Sequence, residues 1–345
     1  MLLRSLAQVN FRNLITPRLE FGEGVTAVVG QNASGKSNLL AALYLGCSGE
    51  LPGGTIQESV RLGESEGFVG VKLERQDGVA SIEVGLAPGR KVLRLDGQNV
   101  RSFEIARFAA AVLITPEDSL LVHGPPSARR GYLDALLSKL SLRYAMLLRE
   151  YTRVVEQRNA VLKGSPQDPT LSVWSSKFVE LGEAVEQLRA RALARVRDIA
   201  GATYAEVAGD GKALSLELER PARELPLAEA REQSRAEERA RGATLVGPHR
   251  DDLRLALGGH SVQAYGSRGE ARTVALALRA AEYQLLQERH GEAPVLLLDD
   301  FSAELDANRR AYLLELAART VVSGTEAPPR YAARLHVSNG SFRVG

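Results

Sequence analysis

Gly30-Gln31-Asn32-Ala33-Ser34-Gly35-Lys36-Ser37 is the stretch that decides the fold of this chain. It fits G-x-x-x-x-G-K-[ST], a loop whose backbone N–H groups cradle phosphates. Before it, Gly24-Val25-Thr26-Ala27-Val28-Val29 reads as a short buried strand, because β-branched residues dominate it. After it, Asn38-Leu39-Leu40-Ala41-Ala42-Leu43-Tyr44-Leu45 reads as a helix, closed by Gly46. A loop between a strand and a helix N-terminus turns successive backbone donors toward an anion. Lys36 is expected to reach the β- and γ-phosphates of a nucleoside triphosphate, and the Ser37 hydroxyl to ligate Mg²⁺. The expected nucleotide-binding set is Gly30, Gln31, Asn32, Ala33, Ser34, Gly35, Lys36, Ser37 and Asn38.

A second Mg²⁺ ligand must come from elsewhere. Pro294-Val295-Leu296-Leu297-Leu298-Asp299-Asp300 supplies it. The apolar run is short for a helix and reads as a buried parallel strand. Two carboxylates emerge at its C-terminal end, where open α/β sheets bind ligands. Asp299 is expected on Mg²⁺, directly or through water, and Asp300 beside the attacking water. Lys36 and Asp300 are the catalytic candidates.

Upstream, Tyr265-Gly266-Ser267-Arg268-Gly269-Glu270-Ala271-Arg272 opens an Ala/Leu-rich helix running to about His290. Two readings of Ser267 stand on local sequence: a plain helix N-cap, or a second anion-binding terminus. Downstream follows Phe301-Ser302-Ala303-Glu304-Leu305-Asp306.

The order of these motifs resembles an ATP-binding-cassette (ABC) ATPase, and their spelling resembles the RecF family of bacterial recombination mediators, relatives of SMC proteins. Asn10-Phe11-Arg12-Asn13-Leu14, Thr115-Pro116-Glu117-Asp118, Ser127-Ala128-Arg129-Arg130-Gly131-Tyr132-Leu133-Asp134 and Thr244-Leu245-Val246-Gly247-Pro248-His249-Arg250-Asp251-Asp252-Leu253 extend the likeness over nearly the whole chain. The resemblance implies two ATP molecules sandwiched in a head-to-tail homodimer. Ser267, Arg268 and Gly269 would then complete the site of the partner subunit, and Asp306 would lie at the seam. It also implies DNA binding, single- or double-stranded with little sequence preference, and action with RecO and RecR in loading RecA.

Three departures from the cassette pattern bear on rate and contacts. Asp300 stands where many such ATPases carry Glu, and one methylene less displaces the carboxylate by about a bond length, enough to slow catalysis. Slow, DNA-dependent hydrolysis suited to a switch is expected. No histidine follows Arg319-Thr320-Val321-Val322; Ser323-Gly324-Thr325 stands there, so either Thr325 substitutes weakly or the contact is absent. Glu117 or Asp118 occupies the place of the glutamine that begins the helical lobe.

The organisation follows from where the motifs fall. An α/β fold is expected, an ABC-type core split by a helical insert. Residues 1–115 and 244–345 form the ATPase core, with an N-terminal β-meander of Phe68–Glu74, Ala80–Leu86 and Lys91–Leu95. Residues 116–243 form the inserted helical lobe, with helices Arg129–Leu140, Leu142–Lys163 and Leu171–Val207 and a break at Gly164–Pro169. Trp174 and the Phe178–Leu181 stripe read as core of these arms. Gly247-Pro248-His249-Arg250-Asp251-Asp252 reads equally as a relay of nucleotide state or as a buried polar network.

With 44 basic and 42 acidic residues the net charge is only +2, so charge alone does not argue for DNA. The basic residues are mostly arginine, which suits bidentate phosphate contacts. Arg189, Arg191, Arg195 and Arg197, or Arg231, Arg235, Arg239 and Arg241, are candidate stripes. One cysteine, Cys47, excludes an intrachain disulfide and fits a reducing, cytoplasmic setting. No apolar stretch approaches a membrane span. Two further classes share parts of the pattern. A nucleotide-binding subunit of an ABC transporter does not account for the helical insert. A P-loop small-molecule kinase leaves Ser267–Gly269 unexplained.

Overall fold

The computed structural model describes residues 1–220, 224–300, 307–316 and 320–345. Two compact units emerge: unit 1 comprises Met1–Asp118 and Leu276–Gly345, and unit 2 comprises Ser119–Ala275. Unit 2 thus extends past residue 243 and includes the segment around Ser267.

Unit 1 begins with β1 (Leu2–Val9), β2 (Arg18–Glu20), β3 (Val25–Val29), α1 (Lys36–Ser48) and α2 (Ile56–Ser59). The meander follows as β4 (Gly67–Arg75), β5 (Gly78–Ala87), β6 (Arg90–Leu95) and β7 (Gln98–Val100), then α3 (Ser102–Ile105) and β8 (Ala111–Ile114). Unit 2 carries α4 (Leu120–His123), α5 (Pro126–Leu140), α6 (Leu142–Gly164), α7 (Thr170–Ala208), β9 (Leu214–Glu219), α8 (Leu227–Arg241), β10 (Asp252–Leu257), β11 (His260–Ser261) and α9 (Val262–Tyr265). The chain re-enters unit 1 along α10 (Arg268–His290) and ends with β12 (Val295–Leu298), α11 (Ala307–Leu316), β13 (Thr320–Gly324), β14 (Ala333–Ser338) and β15 (Ser341–Val344).

Unit 1 holds two sheets with different physics. One is antiparallel, ordered β2-β1-β4-β5-β6-β7. From Ala80 onward its strand β5 alternates buried with half-buried positions, the mark of a sheet with one wet face. The other is ordered β15-β14-β3-β13-β12-β8 and is parallel except for β15. Its strand β12 is buried along its whole length, as expected of a strand flanked by neighbours and covered on both faces.

Helix α1 packs against both sheets. Ten of its 13 residues are buried, which is why its sequence shows no polar face. Gly46 does not end this helix. It lies inside it, while Gly49 at φ 69° forms the left-handed C-cap. A Cβ at Gly46 would fall 2.3 Å from Val71 Cγ1 on β4, so glycine is there to let helix and strand approach. Cys47 is fully buried behind the loop, and burial pushes its thiol pKa up to about 12, which makes it an inert packing residue.

Unit 2 is organised by α6 and α7, which pack along each other on either side of residues 165–169. Tyr151, Phe178, Leu181, Val185 and Leu227 form its apolar centre, with Trp174 packed against them. A three-stranded sheet ordered β11-β10-β9 completes it.

Gly46→Ala is expected to destabilise the protein by about 1–3 kcal/mol through overpacking. That exceeds the ~1 kcal/mol of helix propensity that alanine gains over glycine. Urea denaturation measures it, and an unchanged or raised midpoint would show that α1 does not need its close approach to Val71.

Candidate functional site

The nucleotide loop starts where β3 stops. Parallel register pairs Gly324 with Val29 and Leu298 with Val322. The C-terminal ends of β3, β13 and β12 therefore reach one edge of the sheet, and bring Gly30, Thr325 and Asp299 to it. The loop backbone turns through left-handed geometry at Ala33 (φ 62°) and Gly35 (φ 113°). Gly35 caps α1 without any side-chain hydrogen bond, and no acidic residue stands in the first turn. The first-turn N–H groups and the positive end of the helix dipole thus face outward uncompensated, an anion-binding terminus.

Lys36 is buried, and its Nζ donates to the carbonyls of Gly30 and Gln31, each at 2.9 Å. The ammonium is thereby held over the loop. Ser34 Oγ is buried without a hydrogen-bond partner, an orphaned polar atom in the loop that a phosphate oxygen would satisfy. Gln31, Asn32, Ala33 and Ser37 are exposed. Asn38 is tied elsewhere: its Oδ1 accepts from Arg12 Nη1 at 2.9 Å, and its Nδ2 donates to Asn13 Oδ1 at 2.8 Å. The Asn10–Leu14 segment is thus fastened to α1. Partial burial depresses the Arg12 pKa, against an opposing pull from Glu58.

The loop is also braced from the far end of the chain. Gly340 N donates to Ser34 O at 2.8 Å, and Gly340 O accepts from Ile15 N at 2.8 Å. Asn339 and Gly340 form the turn between β14 and β15, both at positive φ (48° and 77°). An Asn-Gly pair between short β-rich segments signals such a turn, so the hairpin was readable; its seat under the loop was not.

At the end of β12, Ser323 joins the two carboxylate residues. Its Oγ donates to Asp299 Oδ1 at 2.5 Å and accepts from Asp300 N at 3.0 Å. Ser323 is fully buried. Asp299 is oriented by that hydroxyl, and Asp300 sits at φ 51°, unusual for a residue with a side chain. Ser37 and Asp299 are oxygen donors of the hard kind that Mg²⁺ prefers, and no alternative group of three or more metal-binding side chains occurs among the described residues. The stretch Phe301–Asp306, with Asp306 itself, lies outside the described residues. Asp118 is engaged by Arg279 at 2.7 Å and by Thr115 N at 3.0 Å. It is committed to an ion pair rather than presented at the site.

In unit 2, Ser267 and Glu270 form a reciprocal cap at the start of α10. Glu270 N donates to Ser267 Oγ at 3.2 Å, and Ser267 N to Glu270 Oε2 at 2.7 Å. Lys212 also pairs with Glu270. Hydrogen bonds from Lys212 and then from Ser267 pull the Glu270 pKa down to about 2. Ser267 and Arg268 are exposed. The capping role spends only the acceptor of the Ser267 hydroxyl, and its proton remains to be donated.

Gly247–Asp252 forms a buried polar network. Arg189 chelates Asp134 and donates to Pro248 O at 2.7 Å. Arg129 makes a two-pronged bond to Asp252, 2.8 Å on each arm, and Arg130 donates to Asp251 O at 2.7 Å. The two distant landmarks around Arg129 and Asp252 are therefore one contact. Arg189 is buried here, so it does not belong to a surface stripe. His249 Nδ1 lies 2.7 Å from Tyr151 Oη, and Nε2 lies 3.3 Å from Thr244 O. The neutral imidazole fits that pair, with Nε2–H as donor. Burial, aided by the charges of Arg250, Arg130 and Arg158, pushes its pKa down to about 4.

Strand ends, loop and helix terminus together define a P-loop ATPase core of the ABC type with an SMC-like head. Among solved structures, the head domain of an Smc protein bound to a ScpA domain shares this fold, with a TM-score of 0.55 at 18% identity over 100% of this chain and 98% of that one. A family profile described as RecF/RecN/SMC N terminal domain matches residues 2–321. The chain belongs to the RecF family. It is 47% identical to the DNA replication and repair protein RecF of Deinococcus radiodurans, over 99% of this chain and 95% of that protein. With the RecF of Deinococcus deserti the identity is 48% over the same shares. A solved structure of the recombination mediator protein RecF-ATP in the RecFOR pathway superposes with a TM-score of 0.93 at 30% identity, covering 99% of this chain and 97% of that one.

Because the folded state holds His249 neutral while the unfolded chain titrates near 6.5, its contribution is present above pH ~6.5 and is lost as pH falls through about 4. An NMR titration of the His249 ring should show no protonation at pH 6. A midpoint near 6.5 would mean the Tyr151–His249–Thr244 arrangement does not persist in solution.

Proposed function

We propose that this chain is an ATP-dependent DNA-binding protein of recombinational repair and replication restart. What carries the reading is the coincidence, at one sheet edge, of the Lys36 loop with its orphaned Ser34 hydroxyl and the Ser323-oriented Asp299. The RecF relatives give the biological setting.

On this reading Lys36 exchanges the carbonyls of Gly30 and Gln31 for phosphate oxygens, and Ser34 gains its missing partner. Loop N–H groups and the α1 terminus hold the negative charge. Mg²⁺, when bound, would neutralise charge on the β- and γ-phosphates, held by Ser37 and by Asp299 in the orientation Ser323 imposes. Asp300 orients the attacking water. Its short side chain makes turnover slow, so ATP acts as a switch rather than fuel.

Ser267 and Arg268 are exposed at the start of a long helix, with Gly269 half-buried beside them. The hydroxyl donor of Ser267 and the α10 terminus would complete the nucleotide site of a second subunit in a head-to-tail dimer. Residues 1–115 and 244–345 would work as the ATPase core, and 116–243 as the inserted helical lobe. ATP would hold the dimer on DNA, contacted mainly through its backbone, and hydrolysis would release it. The family supports, as part of this proposal, action with RecO and RecR in RecA loading in the cytoplasm. No described helix is long and apolar enough to cross a membrane. Membership of the RecF family places the transporter and kinase readings behind this one.

Light scattering with ATP, ADP and neither, with and without gapped DNA, tests the switch. An ATP-dependent doubling of mass is expected, and a monomer at saturating ATP would remove the sandwich. Lys36→Ala should weaken ATP binding about 10–100-fold, as expected when a charge-assisted contact worth ~1.5–3 kcal/mol is lost. Ser267→Arg should leave ATP affinity intact while abolishing the dimer. Equal dimerisation of that variant would return Ser267 to a plain helix cap.

A further inference from the structure

Helix α8 places Arg231, Arg235 and Arg239 at four-residue spacing, and so on one face. Ser172, Ser175 and Ser176 share a face of α7. These two faces line one cleft of about 430 Å³, closed at its inner side by the buried Arg158 and Glu238. The cleft lies wholly within unit 2 and uses no residue of the nucleotide loop.

The carboxylates around it are already committed. Glu238 takes Arg158 Nη2 at 2.5 Å and Leu245 N at 2.9 Å. Glu232 is shared between Arg231 at 2.7 Å and Arg235 at 3.1 Å. The hydrogen bond from Arg235 and then the charge of Arg231 hold its carboxyl below the usual range. Asp168 turns its Oδ1 to the N–H and hydroxyl of Thr170.

What remains is unspent donor capacity. The Nε atoms of Arg231 and Arg239 are both buried without a hydrogen-bond partner. Arg239 forms no salt bridge or hydrogen bond with any described residue; Glu232 feels it only through space. Guanidinium groups carry donors and no acceptor, and leaving such a donor buried and unpaired is costly. Two arginines that line one cleft and keep unspent donors call for an acceptor with several oxygens. Glu232 and Asp168 offset two of the three arginines that α8 presents to the cleft, so the lining keeps a net positive charge and favours an anion. A phosphate monoester is an anion at neutral pH, and its oxygens match the guanidinium fork. The cleft has the size of a small-molecule site, ~300–1,000 Å³, so the phosphate arrives attached to something.

We propose that this cleft is a second anion site, separate from the nucleotide loop, which takes a phosphate monoester carried either by a sugar phosphate or by the end of a nucleic-acid strand. Calorimetric titration of the full chain carrying Lys36→Ala, which weakens the competing nucleotide loop, tests it. The probes are ribose 5-phosphate against ribose, and a 5′-phosphorylated oligonucleotide against its 5′-hydroxyl form. At least one phosphorylated probe should saturate and bind at least about tenfold tighter than its unphosphorylated counterpart. Adding Arg239→Gln should weaken that binding at least about tenfold, with an unchanged melting temperature. Arg235→Gln, at an exposed position, is the second variant should Arg239→Gln fold poorly. Preference confined to the sugar phosphate assigns a small molecule, and preference confined to the oligonucleotide assigns a strand end. No saturable binding, no preference for the phosphorylated member of either pair, or binding indifferent to both substitutions overturns the proposal.

Discussion

The parallel alignment of β3, β13 and β12 is the constraint on which the nucleotide site depends. Each strand contributes one residue set at its C-terminal end, and hydrogen-bond register fixes which residues emerge together. Because side chains alternate with a period of two, a slip of one residue would turn each set to the opposite face. The Lys36 loop, Ser323 and the Asp299–Asp300 pair would then no longer share an edge. The site is therefore as accurate as the ladder beneath it.

Burial protects that ladder. Helix α1 is packed by both sheets of unit 1, and its apolar residues cover the inner face of the antiparallel sheet and the buried strands of the parallel one. Gly46 gives the approach its closeness, and Cys47 is locked in as a small apolar residue. The cost is a nucleotide-loop lysine and a serine held away from water before any ligand arrives. Lys36 meets that cost with two loop carbonyls. Ser34 does not, and its unpaired oxygen marks the place where the loop is built for a ligand rather than for its own stability.

Unit 2 solves a different problem. Its long helices bury aromatic residues around Tyr151 and Phe178, while buried charges are paired with care. Arg129 with Asp252, Arg189 with Asp134 and Arg158 with Glu238 are all closely bonded, as buried ions must be. Against that background the idle guanidinium nitrogens of Arg231 and Arg239 stand out as unfinished chemistry. The Ser267–Glu270 cap shows the opposite economy, where one hydroxyl serves helix stability and keeps a proton to donate.

Local sequence determined most of the elements. The α5, α6 and α7 spans and the strands of the meander were legible because apolar periodicity of 3.6 or 2 is a property of neighbouring residues. The phosphate loop was legible because its glycines, lysine and serine act within eight consecutive positions. Its stop signal misled: Gly46 looks like a helix end, but its reason for being glycine is Val71, on a strand formed later in the chain. Tertiary structure alone decided that Ser323 orients Asp299, that Gly340 braces Ser34, that Asn38 holds Arg12 and Asn13, and that Gly247–Asp252 is a buried network joined to Arg129 and Arg189. Those contacts join residues tens to hundreds of positions apart. A hydrogen bond between two such groups leaves no period, composition or spacing in the sequence, and only packing brings the donor to its acceptor.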